Sequence, residues 1–218
     1  MYPSVLQTIA SRLPYRLADY NGIRSIQNTL VPGVDGRIAS KVLQPFVISA
    51  IEEISNTRIV RPTTARSWYD FGVYDPKTGI NIPVNLIITK RQSKCNIKRN
   101  KGLVYTFSTL HNSLIPNKLS MNDTMEYIEC SRKSKRDPDA EYYTLFVDRD
   151  TNETLLRSMC DIHAPISSAS NWLQASMETE MQYSHIFTPD INVSYYRIRS
   201  TLAASLKKRI FTANSLLL

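Results

Sequence analysis

The chain has 218 residues, 42% of them hydrophobic, and a formal net charge of +8 with a pI near 9.4. That apolar content supports a packed core and excludes global disorder, and no apolar run is long enough to cross a bilayer. The net positive charge favours a polyanionic partner over a cationic one.

The N-terminus, MYPSVLQTIASRLPYR, lacks the basic, apolar and cleavage regions of a signal peptide, and the expected compartment is cytoplasmic. The first 57 or so residues are expected to be a helical part, and the core to occupy about 58–218, all within one domain. VPGVDG (Val31–Gly36) is a loop. After it Ile38, Val42, Phe46, Ala50 and Ile54 recur every four residues, with Leu43, Val47 and Ile51 beside them, which predicts a helix with one buried face, bent or restarted at Pro45. Glu52 and Glu53 lie near its end. Arg58 to Thr64 is a connector.

Thr64 to Lys90 predicts a β-hairpin. Asp75-Pro76-Lys77-Thr78-Gly79 is turn chemistry, because proline presets φ and glycine supplies a positive φ. A turn centred on Lys77 and Thr78 sets Tyr74 against Asn81, Gly72 against Pro83 and Asp70 against Asn85. Opposed residues share a face, so Asp70, Asn85, Ile87 and Thr89 look one way, and Leu86, Ile88 and Lys90 the other.

Next comes a basic loop carrying Lys90, Arg91, Lys94, Lys98, Arg99 and Lys101. KGLVYTFSTL predicts a short apolar helix and EYYTLFVDRD a buried strand. NETLLRSMCDI (Asn152–Ile162) predicts a capped helix, DIHAPISSASNW a polar loop, and the chain closes on a helix with a basic face. The order implies an α/β fold, a central mixed β-sheet flanked by helices. Cys95, Cys130 and Cys160 are odd in number and far apart, so neither a zinc site nor a disulfide framework is expected. His111, His163 and His185 lack metal-ligand spacing, and no glycine-rich phosphate loop exists. Two further basic clusters are Arg132, Lys133, Lys135 and Arg136, and a C-terminal one from Arg197 to Arg209.

An acid on one strand and an acid-x-lysine pair on the next is an arrangement that holds Mg²⁺ against a scissile phosphate. Here Asp70 offers the first ligand, Asn85 a neutral carbonyl, and Ile87 stands where the lysine would be. Glu52 or Glu53 is the candidate compensating acid. Lys90 is the candidate lysine, although its parity is wrong without a bulge.

TARSWYDFGV, IPVNLIIT, CNIKRNKGLVYTFSTL, AEYYTLFVDRD and SNWLQASM resemble, in order, the blocks of a group of type II restriction endonucleases with the PD-(D/E)XK fold. That group's pattern runs Arg-Ser-Trp-His-Asp, then Pro-Val-Asn-Ile-Lys, an Asn-rich turn into a Tyr-containing helix, a Tyr-Tyr strand and a late Asn-Trp. The likeness spans about 64–177. It implies a restriction-endonuclease-like fold and a homodimer on double-stranded DNA that cleaves with Mg²⁺. Its catalytic set would be Asp70, Lys90 and Glu53, and its metal donors Asp70, Glu52, Glu53 and Asn85. Arg91, Lys94, Lys98, Arg99, Lys101 and Asn171 would contact DNA, with Ser167, Ser168 and Ser170 beside them. Ile87 falls on the group's catalytic lysine. Two outcomes follow: Lys90 has taken over, or the chain is a catalytically inactive relative that binds DNA or assembles with other proteins.

Overall fold

The structure is a computed structural model that describes residues 1–19, 36–55, 59–62, 68–75, 80–97 and 99–215. Helix α1 (Ser4–Asp19) and helix α2 (Gly36–Ser55) come first, each with a proline inside, Pro14 and Pro45. Strands β1 (Ile59–Val60), β2 (Phe71–Asp75) and β3 (Ile80–Thr89) follow, then β4 (Cys95–Asn96) and helix α3 (Asn100–Phe107). Helix α4 (Met121–Cys130), strands β5 (Tyr143–Asp148), β6 (Thr154–Ser158), β7 (Ile166–Ser168) and β8 (Trp172–Ala175), a short α5 (Met177–Met181) and a long α6 (Ile191–Ser215) complete the chain.

Five strands form one mixed sheet in the order β1-β2-β3-β5-β6, and β4-β8-β7 form a second, smaller sheet. Only β3 and β5 pair in parallel within the large sheet; α3 and α4 occupy the crossover between them. The strands' two-residue period sorts β3 between two cores. Ile82, Val84, Leu86 and Ile88 pack with Phe71, Val73 and Leu145 against α1 and α2. Ile87, on the opposite face, packs with Phe146, Leu155, Leu103 and Phe107. The α/β architecture, with a mixed sheet between helical layers, is as expected.

The hairpin register matches the reading from the sequence: Gly72 pairs with Pro83 and Tyr74 with Asn81. The turn residues 76–79 lie outside the described residues. Three expectations need correction. Asn152–Ile162 is not a helix: Asn152 adopts φ 64 and turns the chain back, so β6 pairs antiparallel with β5. Adjacent Leu155 and Leu156 enter opposite cores, which a strand permits and one helical face does not. The polar stretch after it is also ordered as a hairpin, β7–β8. The expected connector carries β1, which pairs with β2.

Helix α3 lies against β5 because Gly102 permits it. A Cβ there would sit 2.8 Å from the Tyr142 ring. This close approach delivers Arg99, the residue that caps α3, to the face of β3 bearing Asn85. Helix α4 starts with a reciprocal Ser120–Asp123 capping box, which closes the loop beside the N-terminus of α3.

Candidate nucleic-acid interface

Asp70 stands one residue before β2. Its N–H donates to Val84 O at 2.9 Å, and its Oδ2 accepts the Leu86 N–H at 2.7 Å. Continuing the ladder by one step sets it opposite Asn85. Burial raises the Asp70 pKa, while the Leu86 bond and the nearby Arg99 guanidinium pull it down. Asn85 is buried, and its Oδ1 accepts from Arg99 Nη2 at 3.3 Å. The Tyr142 hydroxyl donates to Trp68 O at 3.0 Å and completes this small polar cluster. Burial drives its pKa up, and both Arg99 and Asp70 lie close enough to act on it.

The remaining expected catalytic residues lie elsewhere. Glu53 pairs with Arg16 of α1, its Oε2 2.6 Å from Arg16 Nε. Glu52 pairs with Arg61 at 2.9 Å. Residue Lys41, near the start of α2, is the part of that helix that reaches the end of β3. Helix α2 packs on the Val84, Leu86 and Ile88 face of β3, whereas Asn85 shares the parity of Ile87 and looks the other way. The structure therefore does not bring Glu52 or Glu53 together with Asp70 and Asn85. Ile87 is partly buried: it packs against the second core and also lines the cavity at the end of β3. Lys90 is exposed just past β3, and shares a cavity with Arg99 that Asp70 does not line.

A Mg²⁺ ion requires near-octahedral hard oxygen donors. The converging donors are one carboxylate and one amide oxygen. One Asp70 oxygen is taken by a backbone N–H, and the Asn85 oxygen by a guanidinium. Among the described residues, no group of three or more His, Cys, Asp or Glu side chains converges as a metal site. Asp70 is thus the one carboxylate here among the described residues, with Oδ2 engaged by the Leu86 N–H.

Two open cavities flank Arg99. One, of ≈ 770 Å³, wraps the end of β3 and is lined by Lys41, Lys90, Lys94, Arg99 and Arg149. The other, of ≈ 610 Å³, lies between Trp68 and Trp172 and is lined by Arg99, Lys101 and Lys118. They share Asn96, Arg99 and Asn171, so they form one continuous cleft, and among the described residues no Asp or Glu lines either part. Lys101 is mostly buried. It donates to Asn117 Oδ1 at 3.1 Å, lies 5.8 Å from the Trp68 ring centre, and burial lowers its pKa. Asn171 and Trp172 form the corner entering β8, where Trp172 is held at φ 65, a region costly for a bulky side chain.

Of the DNA contacts expected from the sequence, Lys94, Arg99, Lys101 and Asn171 line this cleft. Arg91 instead pairs with Glu153 at 3.1 Å, and Lys98 lies outside the described residues. Sequence reasoning missed Lys41, Lys118, Arg149, Trp68 and Trp172. Lys41 sits on a helix far away in sequence, and Arg149 is flanked by two aspartates that mask it in a charge count. Arg149 does contact Asp150, at 3.7 Å. Several members of the other basic clusters are engaged within the protein. Lys133 donates to Tyr105 O and Ala140 O, Arg132 lies over Tyr195, and Arg199 pairs with Glu129.

The fold and site thus define a mixed α/β protein with a basic cleft at the end of its central parallel strand pair, lined by no Asp or Glu among the described residues. No protein-family model matches the chain, and no curated protein matches it. Among the described residues no helix is long and apolar enough to cross a membrane.

Proposed function

We propose that this protein binds double-stranded DNA along the cleft and is an endonuclease-like fold that does not cut. One observation carries the binding: cations from α2, the β3–β4 loop, α3 and the β5 end line one continuous surface that no acid shares. Such a surface repels its own kind and lowers that cost by contacting phosphates, releasing condensed counterions. The test is affinity for a duplex over a salt series. Each phosphate neutralised steepens log K against log salt by about 0.9. A flat response, or no binding at low salt, refutes the reading.

The register of Asp70 and Asn85 favours a second reading, Mg²⁺-dependent cleavage by a homodimer with Lys90 supplying the positive charge. Against it stand the apolar Ile87, partly buried at the cavity wall where a lysine would serve, and the engagement of Glu52 and Glu53 with arginines. A cleavage assay with Mg²⁺ on wild type, Asp70→Ala, Lys90→Ala and Ile87→Lys separates the two. We expect no cleavage by wild type. Wild-type cleavage lost in both alanine variants would establish the second reading, and sedimentation with and without duplex would then report the dimer.

A further inference from the structure

Helix α6 is one-sided in charge: it carries Arg197, Arg199, Lys207, Lys208 and Arg209 and no Asp or Glu. The body of the protein engages the first two. Arg197 donates to Ile162 O at 2.9 Å, and Arg199 pairs with Glu129 at 3.5 Å. The other three lie past Ser205, where the helix leaves the core and every residue from Leu206 to Ala213 is exposed. Among the described residues no carboxylate pairs with any of these three. Cations left uncompensated in solvent fit a polyanion.

The end of α6 is fixed against the cleft. Ser205 Oγ accepts the Ser168 N–H at 3.0 Å and is bonded to Trp172 O, which joins the helix to both sides of the β7–β8 turn. Lys208 Nζ donates to Ser167 O at 3.2 Å, and the Arg209 guanidinium lies 4.5 Å from the Trp172 ring centre. Asn171 and Trp172 of this turn line the cleft, so both cations adjoin it. Their contacts leave the charges available. Lys208 keeps the rest of its N–H groups, and Arg209 gives none of its own to an acceptor among the described residues. A guanidinium stacked on a ring still presents its N–H edge to phosphate oxygens. Lys207 is equally exposed, but at 3.6 residues per turn it stands about 160° round the helix from Arg209, away from the hairpin.

We propose that the duplex-binding surface continues past Trp172 onto α6, where Lys208 and Arg209 each contact a backbone phosphate and Lys207 contacts none. This rests on the double-stranded DNA reading above and adds a second element to its interface. The contacts position the duplex along the cleft and carry no sequence information.

The test is the affinity of the full chain for a duplex over a salt series, in wild type and in charge variants of α6. Glutamine keeps part of each stem and removes the charge. Lys208→Gln and Arg209→Gln should each lower the slope of log K against log salt by about 0.9, and the double variant by about 1.8. Lys207→Gln should leave the slope unchanged. Arg209→Lys should retain the wild-type slope, because the charge and not the ring contact serves the phosphate. A fall in Arg209→Lys equal to that in Arg209→Gln would assign Arg209 to holding Trp172 and overturn the proposal. An unchanged slope in the double variant would overturn it too. So would a fall in Lys207→Gln equal to that in Lys208→Gln, which would report net charge and not a face of the helix. Each of these outcomes leaves the steep wild-type response standing. A flat wild-type response instead removes the double-stranded DNA reading, and this extension with it.

Discussion

Two arginines, Arg99 and Arg136, sit in sequence segments of similar basicity and do opposite things. Arg136 is almost wholly buried, and all five of its N–H groups are used: two on Glu141, two on Asp161 and one on Thr188 O, at 2.5–2.8 Å. The Phe187 ring lies 3.8 Å away across the guanidinium plane. Arg99 reaches only Asn85, at 3.3 Å, and the Tyr142 hydroxyl, both neutral, lies near the Asp70 carboxylate, and leaves a buried Nε with no partner among the described residues. The first set of charges closes on itself and ties the 136–141 segment to β6 and the start of α6. The second is left incomplete and faces a cleft. Positive charge by itself therefore says nothing about partners; what matters is how many of its hydrogen bonds the protein has already satisfied.

The largest effect should come from breaking the closed set. Arg136→Met strands two buried carboxylates, a change that costs about 3–5 kcal/mol. Urea denaturation should show that loss, and the folded fraction should keep the wild-type affinity for DNA. Arg99→Met should do the reverse, leaving the urea midpoint within about 1 kcal/mol of wild type while weakening duplex binding. If Arg136→Met spares stability, or Arg99→Met spares binding, the contrast between the two arginines is wrong.

Smaller effects sharpen the boundary of the open set. Lys90→Ala and Lys94→Ala should each lower the salt slope by about 0.9. Arg91→Ala should leave it unchanged, because Arg91 is half-exposed and already paired with Glu153. A fall for Arg91→Ala equal to that for Lys94→Ala would extend the interface to the β6 turn.

The hairpin was legible in the sequence because turn chemistry and strand period are local, and together they set the register from Phe71↔Val84 to Tyr74↔Asn81. The burial of Tyr142, Tyr143 and Phe146 was legible for the same reason. The stretch Asn152–Ile162 was misread because its Leu155-Leu156 pair is ambiguous in period. Only the pairing with β5 resolves it. The composition of the cleft was half legible. Lys94, Arg99 and Lys101 are close in sequence, whereas Lys41, Lys118 and Arg149 meet them only through tertiary packing. The fate of Glu52 and Glu53 was not legible, since their partners Arg16 and Arg61 lie on other elements.

The smallest predicted effect bears on Asp70, the residue on which the two functional readings differ. Burial is the leading influence on its carboxyl and raises its pKa; the Leu86 N–H and Arg99 offset only part of this. The native state thus holds this proton more tightly than the unfolded chain does. Stability from this group is fully present below the ordinary carboxylate range and declines as pH rises through the native pKa. Asp70→Asn keeps an acceptor for the Leu86 N–H and cannot titrate. The difference between wild type and Asp70→Asn in urea titrations across the acid range isolates this slope from all other groups. We expect the variant to be relatively more stable at neutral pH than at low pH. Adding Mg²⁺ at neutral pH then separates the functional readings. An ion held by Asp70 would stabilise wild type in proportion to its occupancy and leave the asparagine variant unmoved. A carboxylate already bonded to a backbone N–H and facing Arg99 predicts the same midpoint for both proteins with and without Mg²⁺. A Mg²⁺-dependent gain confined to wild type would return Asp70 to the role of metal ligand.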